Sequence, residues 1–563
     1  MTIRRLLIVT LSLVFALGWL QPNHYWPWKG FQNDAWAGVV FVALIPIALF
    51  ARTQTWRVGW SSLFVLFVAL VPAIQLQFGQ IVNLGEAWMV TIYLLGFLLT
   101  IWAGMCWSAI SRFEPIEFIL TSALAAAMLS VGLQLWQWLG LGEIGEFGMW
   151  LMGDGNGRPY ANLGQPNLLA TLILWGIVGT AWAYVRRVIG AAVALLLAVY
   201  LLFGLALTFS RTAWLCLTMI AVASWYWRSL WPNSKVSTST TALLILFFVF
   251  TFSLESLGKL LDLASLRDLH EASNVGGDLR LHAWRVFIHG IFQSPWVGYG
   301  WNQVVAATFN QPVDGTALHG YFSHTHNLFL DLFVMMGLPL GIFAVSYLTY
   351  LAWQFTRNVK SAENALVWMA LLAVGNHAMF EFPLHYAYFL LPTGLLIGTM
   401  SQMSNQPHTL RLKIAPWLLF LICGLMLAIT IRDYLKVEDS IIEVRSEAVH
   451  IKLTKPVEPA DTWVLSQWRD FVAMSILRVN GHESPSDLKW MRDLAIAVPA
   501  PVIFVDRAKA LVLQNRPTEA TDWLDTMCSI SSMEVCLQVA RHWQYLAEQQ
   551  PTIPFPAWQP RAD

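Results

Sequence analysis

The sequence predicts an all-α polytopic membrane protein, and three observations carry that prediction. Of 563 residues, 57% are hydrophobic and only 12% charged, against about 25% charged in a soluble globular chain. The mean hydropathy is +0.55. Apolar runs of about 20 residues, the length that crosses a bilayer as a helix, recur over the first three quarters of the chain. A wholly cytosolic enzyme and a disordered chain are thereby excluded. Lys and Arg together number 34, as do Asp and Glu, so no basic excess attracts a polyanion and nucleic acid is not an expected partner. The 30 Trp residues suit membrane interfaces, where Trp collects.

Taken in order, the apolar runs predict thirteen spans: 5–21, 35–51, 58–76, 87–108, 115–139, 166–184, 188–207, 211–227, 241–257, 327–350, 363–380, 385–401 and 414–432. The first follows Arg4 and Arg5 like a secretory signal, but it lacks a convincing cleavage site and reads as a retained anchor. Orientation follows Lys and Arg, which collect on the cytoplasmic side. With the N-terminus inside, the inside loops carry Arg52 and Arg57, Arg112, Arg186 and Arg187, Arg228 and Lys235, Arg357 and Lys360, and Arg411 and Lys413. The short outside loops hold Lys29, Arg158 and Arg211. This frame puts the long loop 258–326 and everything after 432 outside, which in a Gram-negative bacterium is the periplasm.

Two domains are expected: a transmembrane domain over 1–432 and a soluble helical domain over 433–563. The second holds roughly half of all charged side chains, as a water-exposed surface requires. Within it, the stretch from Arg507 to Ala520 resembles half of a helix–turn–helix repeat. Cys106, Cys216 and Cys423 lie in apolar runs, and no cysteine spacing marks a zinc or redox motif. Cys528 and Cys536 are candidates for a disulfide in an oxidising compartment. Eight residues apart on one straight helix they would be about 12 Å apart, so a bond requires a turn at 529–532.

Four polar clusters fall on the predicted outer side. The first, 157–167, is rich in Gly, Asn and Pro, which is turn chemistry; it carries Arg158, Gln165 and Asn167, with Pro166 suited to the first helical turn. The second is Thr208-Phe209-Ser210-Arg211-Thr212. The apolar run around it is too long for one span, so the chain turns tightly near Ser210 and Arg211 lies at the bilayer edge. Charge at that depth usually has a functional partner, the alternative being an Arg that snorkels to lipid phosphate. The third, in the long loop, joins Arg280, Ala283 and Trp284 on one helix face, with Arg285 further round and Pro295–Gly300 following. Guanidinium groups grip phosphate in a bidentate fork; a membrane-surface amphipathic helix is the competing reading. The fourth is His319, then Ser323-His324-Thr325-His326-Asn327 just before a span, with His377, Glu381 and His385 in a later outer turn. A His there is placed to take a proton from a hydroxyl; zinc ligation and interfacial packing are the alternatives.

Together these parts suit a lipid-linked diphosphate donor. Arginines at membrane level would hold the phosphates and the negative charge developing on the leaving group, and a nearby His would accept the acceptor hydroxyl's proton. Such chemistry needs no nucleotide, cofactor or metal, and no Walker, dinucleotide or carboxylate metal motif is present.

The segments 157–167, Ser-Arg-Thr-Ala (210–213), Arg-Leu-His-Ala-Trp (280–284), Ser-His-Thr-His-Asn-Leu-Phe-Leu (323–330) and Glu-Phe-Pro-Leu-His-Tyr-Ala-Tyr-Phe-Leu-Leu-Pro (381–392) resemble the O-antigen ligase/O-linked oligosaccharyltransferase superfamily, and in particular its PglL-type protein O-oligosaccharyltransferases. The resemblance implies a GT-C-like inner-membrane glycosyltransferase. It would move a preassembled oligosaccharide from undecaprenyl diphosphate to Ser or Thr of an exported protein such as a type IV pilin, with inversion and without metal. The family's essential loop His falls on His326, with His324 second; its diphosphate-binding arginines fall on Arg211 and Arg280, with Arg158 a further candidate. Asn327, Gln165, Asn167 and Glu381 are expected in support. Rival readings are an O-antigen ligase acting on lipid A core, an O-antigen polymerase, and a transporter or flippase. A transporter should show broken or polar spans near the bilayer middle, whereas here the polar clusters gather at one face.

Overall fold

The structure is a computed structural model that describes residues 3–49, 56–141, 148, 150–153, 158–233, 235–263, 269–309, 318, 320–404, 408–412 and 416–560. It is helical nearly throughout. Each of the thirteen predicted segments overlaps a helix, from Ile3–Ala16 to Pro416–Ala448. Among the described residues, seven helices are long and apolar enough to cross a membrane on their own: Trp60–Gln77, Leu84–Ile110, Glu114–Trp138, Pro166–Val185, Lys235–Leu260, Leu328–Arg357 and the stretch Trp417–Ala448. Two further helices, Leu269–Gln293 and the short Ala306–Phe309, lie in the long loop. The one β element among the described residues is an antiparallel ribbon of Trp56–Gly59 with His408–Leu412, pairing Arg57 with Arg411. Two basic loops predicted for the same side are thus joined.

The chain divides into two compact units that do not follow chain order. The first comprises Met1–Leu66, Tyr93–Gly276 and Leu348–Leu427. Glu114–Trp138 packs along Pro166–Val185, and each starts on the favourable arrangement of a Pro in its first turn. The core of this unit is aromatic. Trp19 meets Trp175 and Phe389 edge-on or tilted at 6.4 and 6.3 Å, and Phe15 stacks on Phe118 at 5.7 Å. The indole N–H of buried Trp175 donates to the Ala370 carbonyl at 2.8 Å, which removes the cost of an unpaired polar tip.

The second unit comprises Phe67–Ile92, Gly277–Tyr347 and Ala428–Asp563. The expected boundary at 432 falls inside the continuous helix Pro416–Ala448. Asp433, on that helix, is fully buried and accepts the N–H groups of Trp463, Val464 and Leu465 at 2.7, 2.7 and 3.2 Å, while Arg432 bonds its other oxygen. This clamp turns the chain back along the helix it has just left. Beyond it, Pro485–Ala497, Pro501–Leu513 and Pro517–Ser529 pack one on the next. Phe504 stacks on Trp523 at 4.8 Å, and the Arg507 guanidinium lies 4.3 Å over the same indole. Phe309, from the long loop, sets its edge against both rings.

Cys528 and Cys536 are bonded, with Cα atoms 5.1 Å apart. The helix ends at Ser529 and the next starts at Met533, the turn that the spacing required. Closing so short a loop is worth about 2–3 kcal/mol by chain entropy. Cys528→Ser should therefore speed protease cleavage around 530–550 in the full-length detergent-solubilised protein by about tenfold or more; cleavage at the wild-type rate would show the bond to be dispensable.

Candidate active site

Two buried amides on Glu114–Trp138 shape the loop before Pro166. Gln137 accepts the N–H groups of Tyr160 and Ala161 at 3.1 and 2.7 Å and donates to the carbonyls of Met152 and Ala161 at 2.8 and 2.9 Å. Gln134 donates to the Pro159 carbonyl at 3.2 Å. Asn162 completes the cradle by donating to the carbonyls of Leu20 and Trp150 and accepting the Met152 N–H. His24 Nε2 donates to the Asn162 carbonyl at 2.8 Å, and burial lowers the His24 pKa against the pull of its backbone hydrogen bonds. The run Arg-Pro-Tyr-Ala-Asn-Leu is thus a backbone shape held by four side chains, not a free surface loop.

That shape delivers three polar side chains. Arg158 directs Nε and Nη2 onto the Thr208 carbonyl at 3.2 and 2.9 Å, with Nη2 also 3.4 Å from the Phe209 carbonyl. These carbonyls end the helix Ala191–Leu207, where a cation complements the helix dipole. The next helix, Arg211–Tyr226, begins three residues later, capped by Ser210, whose hydroxyl accepts the Ala213 N–H. The turn is as tight as predicted. Arg211 stands exposed in its first turn, a position that places a cation at the positive end of a helix dipole and that an anion would stabilise. Gln165 and Asn167, either side of Pro166, donate to the two oxygens of buried Glu381 at 3.3 and 3.2 Å. One helical turn back from Glu381, His377 Nδ1 is 2.7 Å from the Thr171 hydroxyl, and Asn376 donates to the Thr212 carbonyl at 3.0 Å.

The second unit holds the histidine cluster. Asn327 caps Leu328–Arg357, its side-chain oxygen accepting the Leu330 N–H at 3.0 Å. Thr325 donates its N–H to Asp331 at 2.8 Å and its hydroxyl to the Asn327 carbonyl at 3.0 Å. The Trp284 indole donates to the Thr325 carbonyl at 2.8 Å, so the helix bearing Arg280 one turn earlier is tied to the residue preceding His326. His326 itself has a left-handed backbone, φ 59°. Its Nδ1 lies 3.1 Å from the His324 carbonyl, and its ring meets Phe322 edge-on at 5.5 Å. A carbonyl oxygen only accepts, so Nδ1 carries a proton, and in the neutral ring the electron pair sits on Nε2.

Of the residues expected from sequence, Arg158, Gln165, Asn167, Arg211 and Glu381 belong to the first unit. Arg280, His324, His326 and Asn327 belong to the second. His319 lies outside the described residues. Gln134, Gln137 and His24 were not anticipated; a polar amide inside an apolar run was the signal available for the first two.

Comparison with known proteins gives these clusters a family. Residues 196–345 match the family described as O-Antigen ligase, residues 159–182 that described as Protein glycosylation ligase, and residues 365–529 that described as Virulence factor membrane-bound polymerase, C-terminal. The general O-oligosaccharyltransferase of Acinetobacter baylyi is 30% identical over 441 residues, 77% of this chain and 76% of that protein. The chain belongs to the O-oligosaccharyltransferase family. A second relative, the ComP-specific O-oligosaccharyltransferase of the same organism, is 27% identical over 248 residues, 44% of each chain. The matched segments of this oligosaccharyltransferase enclose Gln165 and Asn167, then Arg211, Arg280 and the 323–330 histidine segment, then Glu381.

Proposed function

We propose that this oligosaccharyltransferase moves a preassembled oligosaccharide from undecaprenyl diphosphate to a Ser or Thr hydroxyl of an exported protein, a type IV pilin being the expected class. The reaction lies at the periplasmic face of the inner membrane and needs no metal. Nε2 of His326 takes the proton of the acceptor hydroxyl as its oxygen attacks the anomeric carbon. The bond from that carbon to the phosphate oxygen breaks with inversion, and the diphosphate leaves as an anion held by Arg211 and Arg280. Arg158, whose Nε and Nη2 rest on the 208–209 carbonyls, acts by holding the turn that presents Arg211. Glu381 with Gln165 and Asn167 fixes the start of the neighbouring helix, and His324 supplies the carbonyl that sets the His326 tautomer. The helices after 448 face the periplasm in this reading.

The observation that carries this reading is the Nδ1–H to His324 carbonyl contact, which leaves the basic electron pair on Nε2. Intact-mass spectrometry of secreted and pilus proteins, with and without the gene, tests it. A glycan-sized mass lost from one exported protein on deletion is the expected result. Unchanged protein masses together with lipid A core lacking its polysaccharide would replace this reading with an O-antigen ligase.

A further inference from the structure

The segment after His326 reads in sequence as one uninterrupted span, yet its helix is broken at Gly337, with φ 75° and ψ 177°. Only glycine adopts that conformation without strain. The break strands two carbonyls. Leu338, whose N–H would have closed onto Val334, donates to the Pro295 carbonyl instead, at 2.6 Å. Pro339 has no N–H to offer Met335. Both vacancies are filled from the turn 295–301: Tyr299 N–H donates to the Val334 carbonyl at 2.8 Å and Gly300 N–H to the Met335 carbonyl at 3.2 Å. Gln75, 3% exposed, locks the joint from the helix Trp60–Gln77. Its Nε2 donates to the Met335 carbonyl and its Oε1 accepts the Trp301 N–H, each at 2.8 Å.

The two backbones touch directly. A Cβ on Gly298 would sit 2.6 Å from both the Gly337 nitrogen and the Val334 oxygen. A Cβ on Gly337 would sit 2.7 Å from the Trp296 carbonyl carbon and the Val297 nitrogen. This accounts for the Pro295–Gly300 motif, which neither phosphate binding nor hydroxyl activation had used. The joint is followed backwards along the chain by nine helical residues, 328–336, about 14 Å of helix. His326 stands at its far end, just ahead of the Asn327 cap. A 10° change of direction at the joint would carry the imidazole about 2 Å, by that length of helix. A displacement of 1 Å can cost about 10²-fold in rate.

We propose that Gly337, Gly298 and Gln75 are positioning residues for glycan transfer: they fix the direction of the helical segment 328–336 and through it the place of the His326 imidazole. The inference rests on His326 being the base. Gln75→Leu removes both amide bonds at nearly constant volume, and Gly337→Ala forces the two backbones of the joint apart. The readout is the first-order rate constant of single-turnover transfer with purified lipid-linked donor, which does not depend on the folded fraction. A fall of about tenfold for Gln75→Leu and about 10²-fold or more for Gly337→Ala is expected. In a His326→Ala background Gln75→Leu should change nothing further, because a residue acting through His326 has nothing left to position. Wild-type rate constants in both single variants, or a full additional loss in the double variant, would overturn the proposal. Should Gly337→Ala fail to accumulate, Gln75→Leu and its double variant decide alone. Full activity of His326→Ala would instead remove the base assignment on which the proposal stands.

Discussion

His326→Ala is expected to lower glycan transfer by about 10²–10⁴-fold, the range contributed by a general base, with donor binding retained. The expectation follows from the proton on Nδ1. The His324 carbonyl, 3.1 Å away, fixes the tautomer, and the edge-on Phe322 ring restricts rotation of the imidazole. A ring held in this way presents Nε2 to an acceptor hydroxyl without first reorganising. The main-chain origin of the contact separates the two histidines. His324→Ala keeps the carbonyl, so it should cost far less than His326→Ala. Single-turnover assays with purified lipid donor and acceptor measure both. A dead His324→Ala beside an active His326→Ala would reverse the roles, and two fully active variants would remove the imidazole from the chemistry.

The apolar helices were legible because hydrocarbon imposes length and apolarity directly on sequence, and each of the thirteen runs overlaps a helix. What the same signal hides is a break inside a run: Gly337-Leu338-Pro339 is apolar, so hydropathy passes over it, and the companion turn lies some forty residues earlier. The Trp56–Gly59 ribbon is not legible in sequence because its partner is some 350 residues away and both strands are short and basic. In the first polar cluster, composition identified a turn but not its purpose. The partners Gln137, Thr208 and Glu381 are distant in sequence, and only the fold pairs them with Ala161, Arg158 and Asn167. Asn327 was readable as more than a site neighbour: an Asn directly before an apolar helix is a capping signal, and capping is what its side chain does. In the tail, Pro485, Pro501 and Pro517 recur every sixteen residues at helix starts, a repeat that the single half-unit read from sequence did not reveal.

Arg211→Lys and Arg280→Lys should each reduce transfer by about 10–10³-fold, although both keep the charge. The argument is geometric. A diphosphate leaving group gains negative charge on oxygens spaced for two parallel N–H donors, which guanidinium supplies and ammonium does not; removing one preorganised donor of this kind costs about 10²–10³-fold. Arg211 adds a second contribution, since it lies in the first turn of Arg211–Tyr226, where the positive end of the helix dipole also favours an anion. If the two arginines hold one diphosphate, their effects are not independent, so the double Lys variant should lose less than the product of the single losses. Arg158→Lys provides the contrast. It surrenders the fork onto the Thr208 carbonyl and should act through the turn that presents Arg211, so its loss should shrink in an Arg211→Lys background. Kinetics at saturating and limiting donor separate binding from transfer. Unchanged rates at both donor concentrations in Arg211→Lys and Arg280→Lys would leave the leaving group without its proposed partners.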